Sequence, residues 1–381
     1  MYLENIFIDQ FRCLSHLETD LPPGRILIIG NNATGKTSLL EAVFYLVTGR
    51  SFRTRIDNDC VPWRSATGSC ACVRATVRHA AGDSCRLAVT LGPGIKSVRI
   101  DDQPIDRLAS LWGRLRAVVF TPDDLQLIKG GPAERRRYLD VALSQISPDY
   151  LFRLQRYNNA LRQRNALLKR NDLSDRDLRA NIAPWDTQLA EQAIPILMMR
   201  QDFLSGLEPR TARMYEKFLT EEIAETEKIR LSYNNSLRFE LPEESGLDEP
   251  LQEARMRMVE LLRESLEDDR RRGQTTIGPH RDDFQVFLSG KLARDFASQG
   301  QVRSAVLALR FAEAQEMEAR TGEPPVALLD DIASELDPVR KERLLHLLRP
   351  EWQTFMTTTR REDFPPGSHF DAVLPLPLDN F

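Results

Sequence analysis

The sequence predicts an α/β protein organised around a glycine-bounded loop that lies between a strand and a helix. Residues 25–29 form an apolar, β-branched run, and residues 38–47 carry apolar side chains at helical spacing. A second apolar run, at 325–329, ends in two aspartates near the other end of the chain. The loop itself consists of Gly30, Asn31, Asn32, Ala33, Thr34, Gly35, Lys36 and Thr37.

This loop matches the pattern GxxxxGK[ST] in the strand–loop–helix context that the pattern requires. Backbone N–H groups of such a loop, together with the positive end of the following helix, bind phosphate oxygens. We expect Lys36 to reach the β- and γ-phosphates of a nucleoside triphosphate and the Thr37 hydroxyl to ligate Mg²⁺. Ser38 completes the expected nucleotide-binding run that begins at Gly30. A chance match in an ordinary strand–turn–helix is the alternative.

Composition restricts the class of protein. The chain has 381 residues, enough for two domains, and its 41% hydrophobic and 28% charged residues are typical of a soluble globular protein. No apolar run approaches the roughly 20 residues of a membrane span. The alternating start of the chain predicts a first strand rather than a signal peptide. The five cysteines form no zinc-ligand pattern, so we expect reduced thiols and a cytoplasmic protein.

The remaining elements follow from periodicity and turn residues. Alternation predicts strands at 2–8, in a meander over 70–100 and at 117–120. Helical periodicity extends from about 133 to 230, beginning with helices at 134–145 and 151–169. After an acidic, proline-bounded linker at 240–250, a helix is predicted at 251–266 and a hairpin at 284–292. A further helix is predicted at 304–319 and a strand at 353–359.

Charge is distributed unevenly. Residues 129–180 hold twelve Lys/Arg and six Asp/Glu, a net charge of +6, whereas the whole chain carries −4. This favours a surface that faces a polyanion, although an ordinary solvated helical face is the alternative. The candidate contacts with DNA or phosphate are Arg50, Arg53, Arg135, Arg136 and Arg137, the last three expected to be exposed. For 50–55 the alternative is a solvated loop, and for the triple arginine it is an ion pair between subunits or between domains.

The acids that follow the run at 325–329 complete the nucleotide hypothesis. In proteins with a phosphate-binding loop (P-loop), here Gly30 to Thr37, an acid at the carboxyl end of a strand beside the P-loop strand holds Mg²⁺. We assign this role to Asp330. A second carboxylate, Asp331, is placed to orient or deprotonate water. Because strand ends are often acidic, this signal depends on the P-loop in the same chain. Lys36 and Asp330 lie near opposite chain ends, so we expect a nucleotide-binding head of 1–124 and 273–381, with an inserted, mainly helical domain of 125–272 carrying the basic surface.

In this order the motifs resemble the ATPase heads of the ABC class, specifically its SMC-like branch and the RecF family of bacterial recombination mediators. The resemblance covers essentially the whole chain. It rests on FR at 11–12, GNNATGKTSLLEA at 30–42, GRSFRT at 49–54, FTPDDLQLIKGGPAERRRYLD at 120–140, GPHRDD at 278–283, SQGQ at 298–301 and LLDDIASELD at 328–337. The chain departs from the family at Ala33, where such loops usually have glycine; a positive φ there carries a steric cost. Asp331 is shorter than the glutamate of most ABC heads, which fits slow hydrolysis.

The resemblance implies an ABC/SMC-like P-loop ATPase fold and further roles. ATP bound by one subunit is expected to be capped by the signature of another, formed by Ser298, Gln299, Gly300 and Gln301. It places Asp337 in a D-loop and Thr358 at a switch position. It also makes Gln126 a Mg²⁺ contact and Arg12 a contact to phosphate or ribose.

The implied function is ATP-dependent DNA binding in recombinational repair. The family implies an ATP-dependent homodimer on double-stranded DNA or a single-strand/double-strand junction. It acts with RecO and RecR to help load RecA at single-strand gaps, and a weak, DNA-stimulated ATPase resets the dimer. The alternatives are a structural SMC-like DNA clamp and the ATPase subunit of a transporter. The SQGQ signature, the basic insertion and the split head all argue against a transporter.

Overall fold

The fold is described from a computed structural model, which describes residues 1–62, 69–219, 225–237, 239–241 and 248–377. Its strands are β1 Tyr2–Phe11, β2 Leu14–Asp20, β3 Arg25–Gly30, β4 Ala71–Arg78, β5 Ser84–Gly92, β6 Ile95–Ile100, β7 Gln103–Pro104, β8 Ala117–Phe120, β9 Ile229–Asn234, β10 Asp283–Leu288, β11 Lys291–Leu292, β12 Val326–Leu329, β13 Thr354–Thr358 and β14 Ala372–Leu376. Its helices are α1 Lys36–Thr48, α2 Gln126–Lys129, α3 Pro132–Ile146, α4 Pro148–Leu168, α5 Asp175–Lys217, α6 Asp248–Glu264, α7 Leu266–Arg272, α8 Ala293–Phe296, α9 Gln299–Thr321 and α10 Pro338–Leu347.

The chain forms two compact units. The first combines both chain ends with the end of α5 and comprises Met1–Leu125, Arg210–Thr226 and Gln299–Phe381. The second comprises Gln126–Pro209 and Glu227–Ser298. Residues 273–298, which the sequence analysis placed in the head, thus belong to the second unit. Within the described ranges, no helix is long and apolar enough to cross a membrane.

The first unit contains two sheets. The antiparallel sheet has the order β2-β1-β4-β5-β6-β7. The parallel sheet has the order β14-β3-β13-β12-β8 and carries the P-loop strand, β3. Every residue of β8 and β12 is buried, as in parallel sheets covered on both faces.

The order of the parallel sheet decides which motifs meet. Leu329 pairs with Phe120, and Thr358 pairs with Ile29, so the carboxyl ends of three strands lie at the edge where the P-loop begins. The expectation that the strand before Asp330 lies directly beside the P-loop strand is wrong, because β13 lies between them. The end of β13 therefore also contributes to the site.

The second unit contains the three-stranded sheet β11-β10-β9 together with most of the helices. Its interior holds an ion cluster, in which the fully buried Arg164 donates to Asp186 at 2.7 Å and to Asp269 at 2.6 Å. Arg164 is one of the twelve basic residues counted in 129–180. The +6 of this segment is therefore not all surface charge.

A buried acid on α9 gives the first unit a pH dependence. Burial raises the pKa of Glu313 to about 7, against the opposing charge and 2.8 Å hydrogen bond of Arg310. Between about pH 4.5 and 7 the native state therefore keeps a proton that the unfolded chain releases, so stability falls as pH rises. We expect Glu313→Gln to match the parent near pH 5 and to exceed its unfolding free energy by on the order of 2 kcal/mol at pH 8. Urea unfolding at both pH values measures this; equal differences at the two would contradict it.

Candidate nucleotide-binding site

The loop between β3 and α1 has two residues in the left-handed region. Gly35 precedes α1 with φ of 105°, and a Cβ there would lie 2.6 Å from the Leu14 side chain, so only glycine fits. Ala33 has φ of 66°. Ala33 thus has the positive φ at which a residue with a Cβ carries a steric cost. The loop holds this conformation because α1 behind it is anchored by buried apolar side chains.

Lys36 folds back over the loop. Its Nζ donates to the carbonyl oxygens of Gly30 at 2.6 Å and Asn31 at 2.9 Å. Burial lowers the pKa of Lys36, while the charges of Asp331 and Asp330 oppose this shift. The ammonium thus lies between the loop and the two acids, where it can pair with a phosphate held by the loop.

Asp330 joins the two ends of the chain. Its Oδ1 accepts from the hydroxyls of Thr37 at 2.9 Å and Thr357 at 3.0 Å, and Thr37 is 293 residues away in sequence. Burial raises the pKa of Asp330, hydrogen bonds from the two threonines lower it, and the charge of Asp331 raises it further. The charge of Arg53 also lowers it, so this arginine acts on the acid site. A buried carboxylate in this position favours a bound cation.

Asp331 follows in a left-handed backbone conformation, with φ of 51°. Its N–H donates to Thr357 Oγ1 at 2.8 Å, so the same hydroxyl fixes both acids. Thr358, the expected switch residue, instead bonds to Asp363 and to the Arg360 carbonyl. Of the two threonines, Thr357 therefore points to the acids and Thr358 does not.

The donor set fits Mg²⁺. A hard cation prefers oxygen ligands, and Mg²⁺ is usually held by one or two carboxylates together with water and substrate phosphates. Thr37 Oγ1 and Asp330 Oδ1 supply a hydroxyl and a carboxylate oxygen 2.9 Å apart. Among the residues that the structure describes, no group of three or more His, Cys, Asp or Glu side chains could hold a metal.

A buried carboxylate that the sequence analysis missed stands behind the loop. Glu41 of α1 is fully buried and forms a paired contact with Arg12, at 3.0 Å to Nε and 2.6 Å to Nη2. It also accepts from Ser51 at 2.5 Å and from Arg53 at 3.5 Å. Arg12 makes a third bond to the Asp59 carbonyl. Arg12, expected at the nucleotide, is thus also a structural link from β1 to α1.

The arginine candidates divide by environment. Arg50 and Arg53 are exposed, on the loop after α1. Arg135 is only 4% exposed and pairs with Asp283 at 2.6 and 2.9 Å, so the expectation that it is exposed is wrong. It lies on the face of α3 that packs inward. Arg136 is half-buried and donates to the Asp282 carbonyl, whereas Arg137 is exposed.

The signature residues surround the start of α9. Ser298 and Gln299 are exposed, and the helix begins at Gln299. A Cβ on Gly300 would lie 3.4 Å from Arg340 Nη2. Arg340 in turn donates to the carboxylate of Asp337, which caps α10. Within the first unit, the signature glycine and the D-loop acid are therefore connected through one arginine.

Gln126, the expected third Mg²⁺ ligand, is exposed and is the first residue of the second unit. Its Oε1 would lie 3.1 Å from a Cβ on Gly130. It belongs with the turn that leads into α3. Its proposed contact with Mg²⁺ rests on the family resemblance.

The left-handed alanine gives a direct prediction. Ala33→Gly removes a steric cost of about 1–2 kcal/mol, partly offset by the greater freedom of glycine in the unfolded chain. We expect an increase in unfolding free energy of up to about 1 kcal/mol, measured by urea denaturation. Ala319→Gly, an exposed position inside α9, is the matched control and should lower stability by about 1 kcal/mol. Equal losses in the two variants would contradict the strain at Ala33.

Comparison with known proteins agrees with this geometry. The family described as RecF/RecN/SMC N terminal domain matches residues 2–374. The DNA replication and repair protein RecF of Symbiobacterium thermophilum is 40% identical over 363 residues, 95% of this chain and 92% of the relative. The protein of the same name from Herpetosiphon aurantiacus is 36% identical over 388 residues, covering 96% and 95%.

Solved structures show the same relationship. A structure of the recombination mediator protein RecF-ATP in the RecFOR pathway superposes with a TM-score of 0.86 at 33% identity, covering 98% of this chain and 95% of the other. An Smc head domain from Pyrococcus furiosus superposes with a TM-score of 0.52 at 14% identity, covering 94% and 90%, which shows a shared fold only. The expected ABC/SMC-like α/β fold is confirmed. The chain therefore belongs to the RecF family, within the RecF/RecN/SMC group of proteins.

Proposed function

We propose that this protein binds ATP with Mg²⁺ and uses it to form a dimer on DNA during recombinational repair. The observation that carries the proposal is the hydrogen bond between Thr37 and Asp330, which brings the phosphate-binding loop to an acid 293 residues away. The arrangement around it, with Lys36 over the loop and Asp331 beside Asp330, is that of a triphosphate site. The match to RecF-ATP structures supports ATP as the nucleotide.

Each side chain has a defined task in this proposal. The loop from Gly30 to Ser38 holds the phosphates through backbone N–H groups, and Lys36 pairs with the β- and γ-phosphates. Thr37 and Asp330 would hold Mg²⁺, which would neutralise charge on the phosphates. Asp331 orients the attacking water and accepts its proton. The part of the Arg12 side chain that is not covered by Glu41 contacts the phosphates or the ribose, together with Arg53.

The proposed dimer uses the second half of the site in trans. Ser298 to Gln301 open the helix α9, and N–H groups at a helix start bind anions. We place them against the γ-phosphate of a nucleotide held by another subunit. Hydrolysis removes that γ-phosphate and weakens the dimer, so ATP sets the time that the protein spends closed on DNA. The short Asp331 fits a slow, DNA-stimulated turnover.

The proposed role is that of a recombination mediator. The protein acts in the cytoplasm with RecR and RecO and helps RecA replace single-strand-binding protein at gaps. The names of the relatives and the RecFOR description of the solved structures support this part. The proposed organisation is a nucleotide-binding head built from both ends of the chain, with a mainly helical insertion between them. Exposed arginines, including Arg50 and Arg137, are the proposed DNA contacts, whereas Arg135 supports the fold of the second unit through its ion pair with Asp283.

DNA binding should depend on ATP and on salt. We expect fluorescence anisotropy to show tighter binding with ATP than with ADP, and an affinity that falls at least tenfold between 50 and 200 mM salt, because phosphate contacts release counterions. Gapped, single-stranded and duplex DNA are compared to find the preferred form. Arg137→Glu should weaken binding to all three, whereas Arg86→Glu, exposed on β5, is the control. Binding that ignores both nucleotide and salt would contradict the proposal.

A further inference from the structure

The sheet of the second unit has an open edge. β9 pairs with β10 over six residues, from Asn234 opposite Asp283 to Ile229 opposite Leu288. In the order β11-β10-β9 it is an outer strand, and among the described residues no strand pairs with its other side. The backbone N–H and C=O groups of such an edge can pair with another extended chain.

A groove follows this edge. It has a volume of about 1050 Å³ and is lined by Leu204, Ser205 and Glu208 of α5 and by every residue from 231 to 235. Successive side chains of a strand point to opposite faces, so a groove over one face would be lined by every second residue. Lining by consecutive residues is what a groove along the backbone edge of β9 requires.

The strand itself carries neither a proline nor a bulge, two of the common protections of an edge. It has the sequence IRLSYN without proline, and its register with β10 continues without a bulge. Its one charged side chain, Arg230, lies 3.6 Å from Glu208. Native proteins protect edges with prolines, bulges, inward charges or covering segments. An edge of six residues without a proline or a bulge, beside a groove, is suited to binding.

The side chains of the groove define its occupant. Among the described residues that line it, Glu208 and Glu240 are the charged ones, and none is a lysine or an arginine. Leu204, Leu237 and Phe239 add apolar surface. We propose that this groove binds an extended segment of a partner protein, with basic side chains interleaved with apolar ones, by addition of a strand to β9. Backbone hydrogen bonds then supply affinity, and the two glutamates supply the preference for positive charge.

A synthetic strand tests this inference. The probe is a fluorescent nine-residue peptide of alternating Lys and Val, measured by anisotropy against the full chain. One control carries N-methyl groups on alternate residues, which removes the donors of one edge but keeps every side chain, and another replaces Lys by Glu. We expect both controls to bind at least tenfold more weakly. Equal binding of the N-methylated peptide would overturn strand addition, and equal binding of the acidic peptide would overturn the charge preference.

Hydrogen exchange and a matched pair of variants locate the peptide. The probe should slow exchange of the amides of 229–234, and Glu240→Lys should weaken its binding at least tenfold. Glu191→Lys, at an exposed position of the same unit, should leave binding unchanged. Exchange is also measured in the absence of the peptide, and either of two results there would overturn the proposal. Protection that rises with protein concentration assigns the edge to a second copy. Protection that is present at every concentration assigns it to another part of this chain.

Discussion

Lys36→Ala should reduce ATP affinity at least about 100-fold, because two charge-assisted contacts to phosphate are lost and each contributes about 1.5–3 kcal/mol. The fold should be preserved, since within the described part of the chain the hydrogen bonds of Lys36 Nζ go to the Gly30 and Asn31 carbonyls of its own loop. Calorimetric titration with ATP and Mg²⁺ measures the change. Lys36→Arg should retain part of the affinity while losing turnover, because a planar fork does not replace a compact ammonium.

Lys169→Ala removes an exposed lysine at the end of α4 and is the control. It should leave the ATP affinity unchanged. An affinity of Lys36→Ala within threefold of the parent, with the fold intact, would contradict the assignment of the loop as the phosphate site. The same result would remove the basis for placing Asp330 and Asp331 at the nucleotide.

Glu41→Ala should strongly destabilise the first unit. Removing this fully buried carboxylate leaves Arg12 without its paired contact and Ser51 without its acceptor. Burial alone would lower the pKa of Arg12, and the hydrogen bonds and charge of Glu41 raise it instead. Breaking a buried ion pair by removing one partner costs about 3–5 kcal/mol. Urea unfolding of the purified protein measures the loss.

A double-mutant cycle separates the pair from simple loss of packing. Arg12→Ala combined with Glu41→Ala should cost less than the sum of the two single changes, because the second removal relieves an unpaired buried charge. Glu351→Gln, at an exposed position of the same unit, should have little effect. Strictly additive single and double losses would show that Arg12 and Glu41 do not act as a unit.

Periodicity and motif context predicted the elements that carry the site. The strand before the loop, the helix after it and the strand before Asp330 each have a strong local pattern. That these elements lie close together could be expected, because a P-loop site needs an acid to hold Mg²⁺. The order of the strands in the sheet could not be predicted. As a result, the place of β13 and the role of Thr357 were missed. Adjacent residues of a strand point to opposite faces, so the register of β13 against β12 decides which threonine points to the acids. Sequence spacing does not give this register.

Other features lay outside what local pattern can show. Glu41 resembles a polar position of an amphipathic helix until the fold buries all sides of α1. Arg135 carried a usable signal, since it is spaced by three and four residues from the buried Tyr138 and Leu139. β14 was not predicted because its proline disfavours a strand, and it is tolerated there since β14 lies at the edge of its sheet.

The central claim is that one nucleotide is held by two copies of the chain, and a mixing experiment tests it most directly. Lys36→Ala lacks the phosphate contact, and Ser298→Arg carries a bulky group at the signature. Each variant alone should stay monomeric with ATP in sedimentation analysis, although Ser298→Arg should still bind ATP. An equimolar mixture should recover ATP-dependent dimers, because each mixed dimer contains one intact loop facing one intact signature. A mixture that stays monomeric with ATP, while the parent chain dimerises, would contradict the shared site.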